Sequence, residues 1–269
     1  MKENSRAAKF MTSVNRLPLA LSHAFKNRSA LKIISGLQNF DPTSVRMVTQ
    51  AATYGDATFV DIAADANLVN IAKTYGDLPV CVSAVDPAAL AAAVAVGADL
   101  VELGNYDSFY PQGRLFTADE IIELTKQTRA LLPNIALSVT VPHTLPLDQQ
   151  VSLAEQLVAC GADIIQTEGG TSSAPTHSGT LGLIEKATPT LAAAYAISRA
   201  VSVPVLCASG LSNVTAPMAI ASGASGVGVG SAVNQLTDEI SMIAVVRSLR
   251  EALAMNLAAI PFGMRSAEI

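Results

Sequence analysis

A chain of 269 residues that is half hydrophobic and only 14% charged is long and apolar enough to bury one large core. No run reaches the roughly 18 consecutive apolar residues of a membrane span, so insertion into a bilayer is not expected. The net charge of −5 and an acidic body argue against a nucleic-acid partner. Three widely spaced cysteines, Cys81, Cys160 and Cys207, make neither a disulfide framework nor a CxxC pair, and each reads as a small buried hydrophobe.

Residues 1 to 28 hold six Lys or Arg against one acid, Glu3, a balance found in targeting peptides. The stretch Leu17 to Phe25 (LPLALSHAF) instead suits a helix that plugs the bottom of a barrel before the first strand. Strands then read as Leu31 to Ser35, Thr58 to Ala63, Val80 to Ala84, Leu100 to Leu103, Ile135 to Val141, Ile164 to Glu168, Pro204 to Ala208 and Gly226 to Gly230. Helical periods fall near 43–54, 66–75, 87–96, 118–132, 148–160, 189–200, 213–222 and 238–258. Four strands are preceded by similar stops, at Gly55, Gly97, Gly161 and Gly223, where a left-handed glycine ends the helix. Eight βα cycles predict an α/β fold, a single-domain (β/α)8 barrel over residues 30–269 with an N-terminal cap over 1–29. A doubly wound open sheet is the alternative, but Ser35-Gly36-Leu37-Gln38-Asn39 is no nucleotide-binding loop.

The segment Val203 to Leu236 contains two strand-to-turn transitions. Gly210, Leu211 and Ser212 after strand 7, and Gly230 and Ser231 after strand 8, can present amides to an anion at the barrel mouth. Ser212 or Asn213 is expected to cap the helix that follows. This pattern, as Val205 to Gly210 and Gly226 to Ser231, resembles the phosphate-binding (β/α)8 superfamily, which includes thiazole synthase, indole-glycerol-phosphate synthase and the ketodeoxyphosphogluconate aldolases. Over the whole chain, Ala30 to Leu37 with Asn39-Phe40-Asp41, Glu168 to Ser172 and the strand 7 and 8 segment resemble the conserved chloroplast reading-frame 23 family of cyanobacteria and algal plastids. That resemblance implies a barrel of unknown activity in a photosynthetic cell, in cyanobacterial cytoplasm or plastid stroma, and brings no catalytic residues.

Residues two apart on a strand share a face, so the inward polar set is Lys32, Asp61, Ser83, Glu102, Ser138, Thr140, Gln166 and Glu168. Lys32 either snorkels at the bottom rim or lies in the lumen, where it could act as a Schiff-base nucleophile, a base or a clamp. The aldolases place their Schiff-base lysine on strand 6; here that strand carries Gln166, so imine chemistry would fall to Lys32. Glu102 and Glu168 could form an acid and base pair, with Asp61 beside Lys32.

The irregular segment 169–188, with Gly169, Gly170 and His177, reads as a lid. It also resembles the strand 6 region of the flavin-binding nitronate monooxygenases, which keeps flavin mononucleotide open although no cofactor is predicted. His143 after strand 5 and the loop 4 aromatics Tyr106, Phe109 and Tyr110 could also reach the mouth. No metal is predicted, since HxH, HExxH and carboxylate clusters are missing from the sequence. The leading expectation is a lyase, synthase or isomerase on a small phosphorylated metabolite. A flavin oxidoreductase, or a non-catalytic metabolite-binding or assembly barrel, are the other readings. A homo-oligomer is possible, although the apolar face Ile240, Ile243, Ala244, Val246 and Leu249 of the last helix is expected to pack on the barrel.

Overall fold

A computed structural model describes residues 16–169 and 173–258. Eight parallel strands close in sequence order into a barrel, β1-β2-β3-β4-β5-β6-β7-β8. They are β1 (Ala30–Gly36), β2 (Phe59–Ala63), β3 (Val80–Ala84), β4 (Leu100–Leu103), β5 (Ala136–Val141), β6 (Ile164–Thr167), β7 (Val205–Ala208) and β8 (Gly226–Val229). Helices alternate with them: α1 (Leu19–Lys26), α2 (Pro42–Tyr54), α3 (Ala66–Tyr75), α4 (Pro87–Ala95), α5 (Ala118–Leu131), α6 (Leu147–Ala159), α7 (Gly179–Ala200), α8 (Ala216–Ala221), α9 (Ser231–Asn234) and α10 (Glu239–Ala258). The chain is therefore a (β/α)8 barrel.

Strand residues of one parity, such as Ile33, Val60, Val82, Val101, Val139 and Val227, pack outward against the helices. Those of the other parity fill the lumen. Its lowest layer is apolar: Ala30, Phe59, Cys81, Leu100, Ala136, Ile164 and Leu206 close on Leu21 and Phe25 of α1. Phe25 meets Phe59 edge-on at 6.2 Å between ring centroids. Above this layer the lumen turns polar. Gly228 makes room there, because a Cβ would sit 3.0 Å from Ala208 Cβ and 3.4 Å from Lys32 Cε.

Local chemistry sets the helix starts. Asp41, Asp65 and Asp86 each accept from the first amides of α2, α3 and α4, with Pro42 and Pro87 at first-turn positions.

Three expected details change. Gly97, Gly161 and Gly223 do take positive φ before their strands, but Gly55 keeps φ −87° and Asp56 adopts +64° in its place. Gly55 instead lets α10 approach, since a Cβ there would lie 2.4 Å from Val246 Cβ. The buried face of α10 is Met242, Val246, Leu249 and Leu253, whereas Ile240 and Ala244 are exposed and Ile243 is half-buried.

The third change concerns α7, which starts at Gly179, ten residues before the expected position. Gly179, Gly182 and Pro189 inside it hide the helical period, and proline removes only the bond to the carbonyl four residues back. Residues 179–188 are thus helix and not lid, while Gly170 lies outside the described residues.

Candidate functional site

Two polar clusters stand one above the other at the C-terminal end of the barrel. The lower one fills the lumen. Lys32 is fully buried, with Nζ 2.7 Å from Glu102 Oε2 and 3.6 Å from Asp61 Oδ2. Ser138 Oγ donates to Glu102 Oε2 at 2.8 Å, Gln166 Nε2 donates to Glu102 Oε1 at 2.7 Å, and Ser83 Oγ donates to Asp61. Gln166 Nε2 also reaches Thr140 Oγ1 at 3.1 Å. The inward parity of these strands therefore brings seven of the eight expected polar residues into one network.

Burial alone would lower the Lys32 pKa, but the Glu102 and Asp61 charges outweigh it and hold the ammonium above its ordinary value. Burial pushes Asp61 the other way, up to about 6, with Lys32 pulling it back and Glu102 adding to the rise. Lys32 is thus a lumenal ion-pair partner. Both carboxylates favour its charged form over the neutral amine that imine formation needs. Asn105 closes the network from above, donating from Nδ2 to Glu102 Oε1 at 3.0 Å and to Asp61 Oδ2 at 3.3 Å. It does so in the left-handed conformation, φ 67° and ψ 50°, which asparagine tolerates better than most side chains.

Over Asn105 lies a cavity of about 250 Å3 lined by Ile34, Asn105, Asp107, Thr167, Glu168, Lys186, Ala208, Ser209, Gly210, Gly230 and Ser231. Lys32, Asp61 and Glu102 do not line it, so the expected pairing of Glu102 with Glu168 is not formed. Glu168 belongs to the upper cluster instead. Its Oε1 accepts from the Tyr110 hydroxyl and from the His143 amide at 3.2 Å, and lies 3.1 Å from His143 Nδ1. His143 Nδ1 is also 3.4 Å from Asp107 Oδ1, and Ser209 Oγ donates to Asp107 Oδ2 at 2.9 Å. Glu168 Oε2 is buried without a hydrogen-bond partner among the described residues.

Burial raises the Glu168 pKa against the pull of the His143 and Tyr110 hydrogen bonds. The His143 pKa is lowered by burial but raised more by Glu168 and Asp107, and ends above its ordinary value. Burial and the Glu168 charge push Tyr110 upward.

The opposite wall is backbone. Ser209 and Gly210 take φ of 77° and 71° in succession, turning the chain sharply out of β7. Gly210, Gly230 and Ser231 line the cavity as expected; Leu211 is buried and Ser212 is turned away from it. The Ser212 amide donates to Thr215 Oγ1 at 2.9 Å, so it is not free for an anion. Neither Ser212 nor Asn213 caps α8: Thr215 precedes that helix, and Asn213 Nδ2 donates to Ser248 Oγ on α10. Gly169 follows Glu168 with φ +147° and supports the wall by packing near Pro189. His177, two residues before α7, is exposed, bonds Glu185 Oε1 of that helix at 2.6 Å and does not line the cavity.

Asn105, Asp107, Ser209 and Lys186 were not singled out from sequence. Gly104-Asn105 was the one available signal, a pair suited to left-handed backbone beside a strand end. Lys186 is the one cationic side chain lining the cavity among the described residues.

The family described as "Protein of unknown function (DUF561)" matches residues 15–259. "Uncharacterized protein ycf23" of Cyanophora paradoxa is 40% identical over 230 residues, spanning 85% of this chain and 94% of that protein. Its counterpart in Pyropia yezoensis is 38% identical over 232 residues, spanning 86% and 85%. Among solved structures, a thiamine phosphate pyrophosphorylase from Pyrococcus furiosus superposes with TM-score 0.56 at 21% identity, covering 86% of this chain and 98% of that one. (S)-3-O-geranylgeranylglyceryl phosphate synthase from Thermoplasma acidophilum, in complex with sn-glycerol-1-phosphate, gives 0.57 at 12% identity, covering 88% and 98%. Identities this low show a shared fold.

Proposed function

The chain belongs to the DUF561 family that includes the ycf23 proteins, and for this member we propose an enzyme that binds a small phosphorylated metabolite at the barrel mouth and acts on it as a lyase, synthase or isomerase. One observation carries the reading: a single cavity has Gly210, Gly230, Ser231 and Lys186 on its lining together with Asp107 and Glu168. The phosphate sits against the loop 7 and 8 residues Gly210, Gly230 and Ser231 near Lys186, whose ammonium favours an anion. The reacting end of the metabolite then meets the Asp107, His143 and Glu168 side. Barrels of the same fold named for phosphorylated compounds, such as the two above, agree with a phosphorylated ligand by analogy of fold.

A volume of about 250 Å3 lies below the roughly 300–1,000 Å3 of pockets for drug-sized ligands, and favours a compact metabolite over flavin mononucleotide. No described helix is long and apolar enough to cross a membrane.

Inorganic phosphate titrated into the full chain should bind once. Lys186→Ala should weaken that binding about tenfold, the loss of roughly one charge-assisted hydrogen bond. Crystals grown in phosphate should show the ion on the Gly210 and Gly230 side. Phosphate that fails to bind, or that binds equally well to Lys186→Ala, would remove the reading in favour of a barrel without this anion site.

A further inference from the structure

We propose that Asp107, His143 and Glu168 form a site for one divalent first-row transition-metal cation of the manganese, iron or zinc type, with its open coordination positions toward the cavity. The three residues come from the loops after β4, β5 and β6, and one donor atom of each lies within 4.8 Å of the other two. An ion with donor bonds of about 2.1 Å holds neighbouring donors roughly 3.0 Å apart in octahedral geometry and roughly 3.4 Å apart in tetrahedral geometry. His143 Nδ1 is 3.1 Å from Glu168 Oε1 and 3.4 Å from Asp107 Oδ1. Two of the three edges of a coordination face are therefore already set.

A second observation points the same way. Glu168 Oε2 is buried on a side chain only 4% exposed, and no described residue bonds it. A carboxylate oxygen stripped of water without a partner is costly, and a cation shared with Oε1 is the partner its position permits. The rest of the carboxylate belongs to the cavity lining.

The donors are also held in place as metal ligands usually are, by groups behind them. Ser209 Oγ donates to Asp107 Oδ2 at 2.9 Å, and Asp107 Oδ1 lies 3.4 Å from His143 Nδ1. The His143 amide and the Tyr110 hydroxyl fix Glu168. The lumenal cation Lys32 is committed to Asp61 and Glu102 beneath Asn105, so two carboxylates, Asp107 and Glu168, stand against one ammonium, Lys186, on the cavity lining. One imidazole nitrogen with two carboxylates selects a first-row transition metal over magnesium or calcium, which favour all-oxygen sites.

The role of the ion rests on the function proposed above: it would polarise an oxygen at the reacting end of the metabolite whose phosphate lies across the cavity. Binding of the ion does not depend on that function, so the two can be tested apart.

The full chain, stripped with a chelator, is titrated with Mn2+ and followed by electron spin resonance, with Zn2+ and Mg2+ titrated by calorimetry. One Mn2+ or Zn2+ per chain is expected, at least tenfold tighter than Mg2+, with nitrogen modulation of the Mn2+ echo from His143. His143→Gln should abolish the modulation, and Asp107→Asn should weaken binding ten- to a hundredfold. Absence of stoichiometric binding, or bound Mn2+ without nitrogen coupling in the unaltered protein, overturns the proposal whether or not the variants fold. Phosphate binding in the stripped protein without metal binding sinks the ion and leaves the function reading; metal binding without phosphate binding does the reverse.

Discussion

The lumen and the mouth use nearly the same residue types to opposite ends. In the lumen, Lys32 faces two carboxylates, and Ser83, Ser138, Gln166 and Asn105 occupy their remaining oxygens. At the mouth, Asp107 and Glu168 share one imidazole, and Glu168 keeps a bare oxygen beside a cavity. A buried charge whose needs are all met within the protein holds the fold in register; a charge with a need left over beside a cavity has something to offer a ligand. Both clusters contain acids with raised pKa values, so titration alone would not have separated them.

The largest effect that could break this contrast is in the lumen. Lys32→Met leaves Asp61 and Glu102 buried without a cation and should cost about 3–5 kcal/mol, measured as a drop in the urea midpoint. A variant that keeps its stability and loses only ligand binding would move Lys32 from scaffold to site. Gly228→Val adds atoms where a Cβ alone meets Ala208, Ile34 and Lys32, and should cost about 1–3 kcal/mol by overpacking. It tests whether the small strand residue is what seats the lysine.

A third measurement follows stability with pH. Asp61 stands near 6 in the fold and returns to its ordinary lower value on unfolding, so the native state takes up this proton first as pH falls. Its contribution is therefore fullest below the unfolded value and is withdrawn as pH rises through about 6. Lys32, raised in the fold, contributes fully below its unfolded value and is withdrawn only in strong alkali. Asp61→Asn should flatten the decline of the urea midpoint between about pH 4 and 7; an unchanged slope would assign that decline to other groups. The smallest effect is at the mouth. Glu168→Gln removes a buried carboxylate with an unpartnered oxygen, so stability should stay within about 1 kcal/mol while ligand binding is lost. A strong loss of stability would show that the mouth, too, is scaffold.

How much of this was legible follows from the distance over which each feature is encoded. Strand phase is a local signal of period two, so the placement of Lys32, Asp61, Glu102, Ser138 and Gln166 in one lumen could be read from alternation alone. Their exclusion from the cavity could not, because the cover is Asn105, whose amide is turned by a left-handed backbone after Gly104. Asp107, His143 and Glu168 are 36 and 25 residues apart in the chain, and no spacing motif links loops that only barrel closure brings together. The Ser212 amide was misjudged because its partner, the Thr215 hydroxyl, lies in a turn that sequence reads as helix. The partner of the exposed His177 was hidden for a related reason: Pro189 conceals the first turns of α7, and with them Glu185.

Helix α1 seals the lowest lumen layer with Leu21 and Phe25, and the Lys32 network under Asn105 fills the lumen above it, so among the described residues the cavity opens at the mouth and not through the barrel. Under the proposed function, a product leaving the mouth would have to clear the position the next substrate needs, so product inhibition would be competitive.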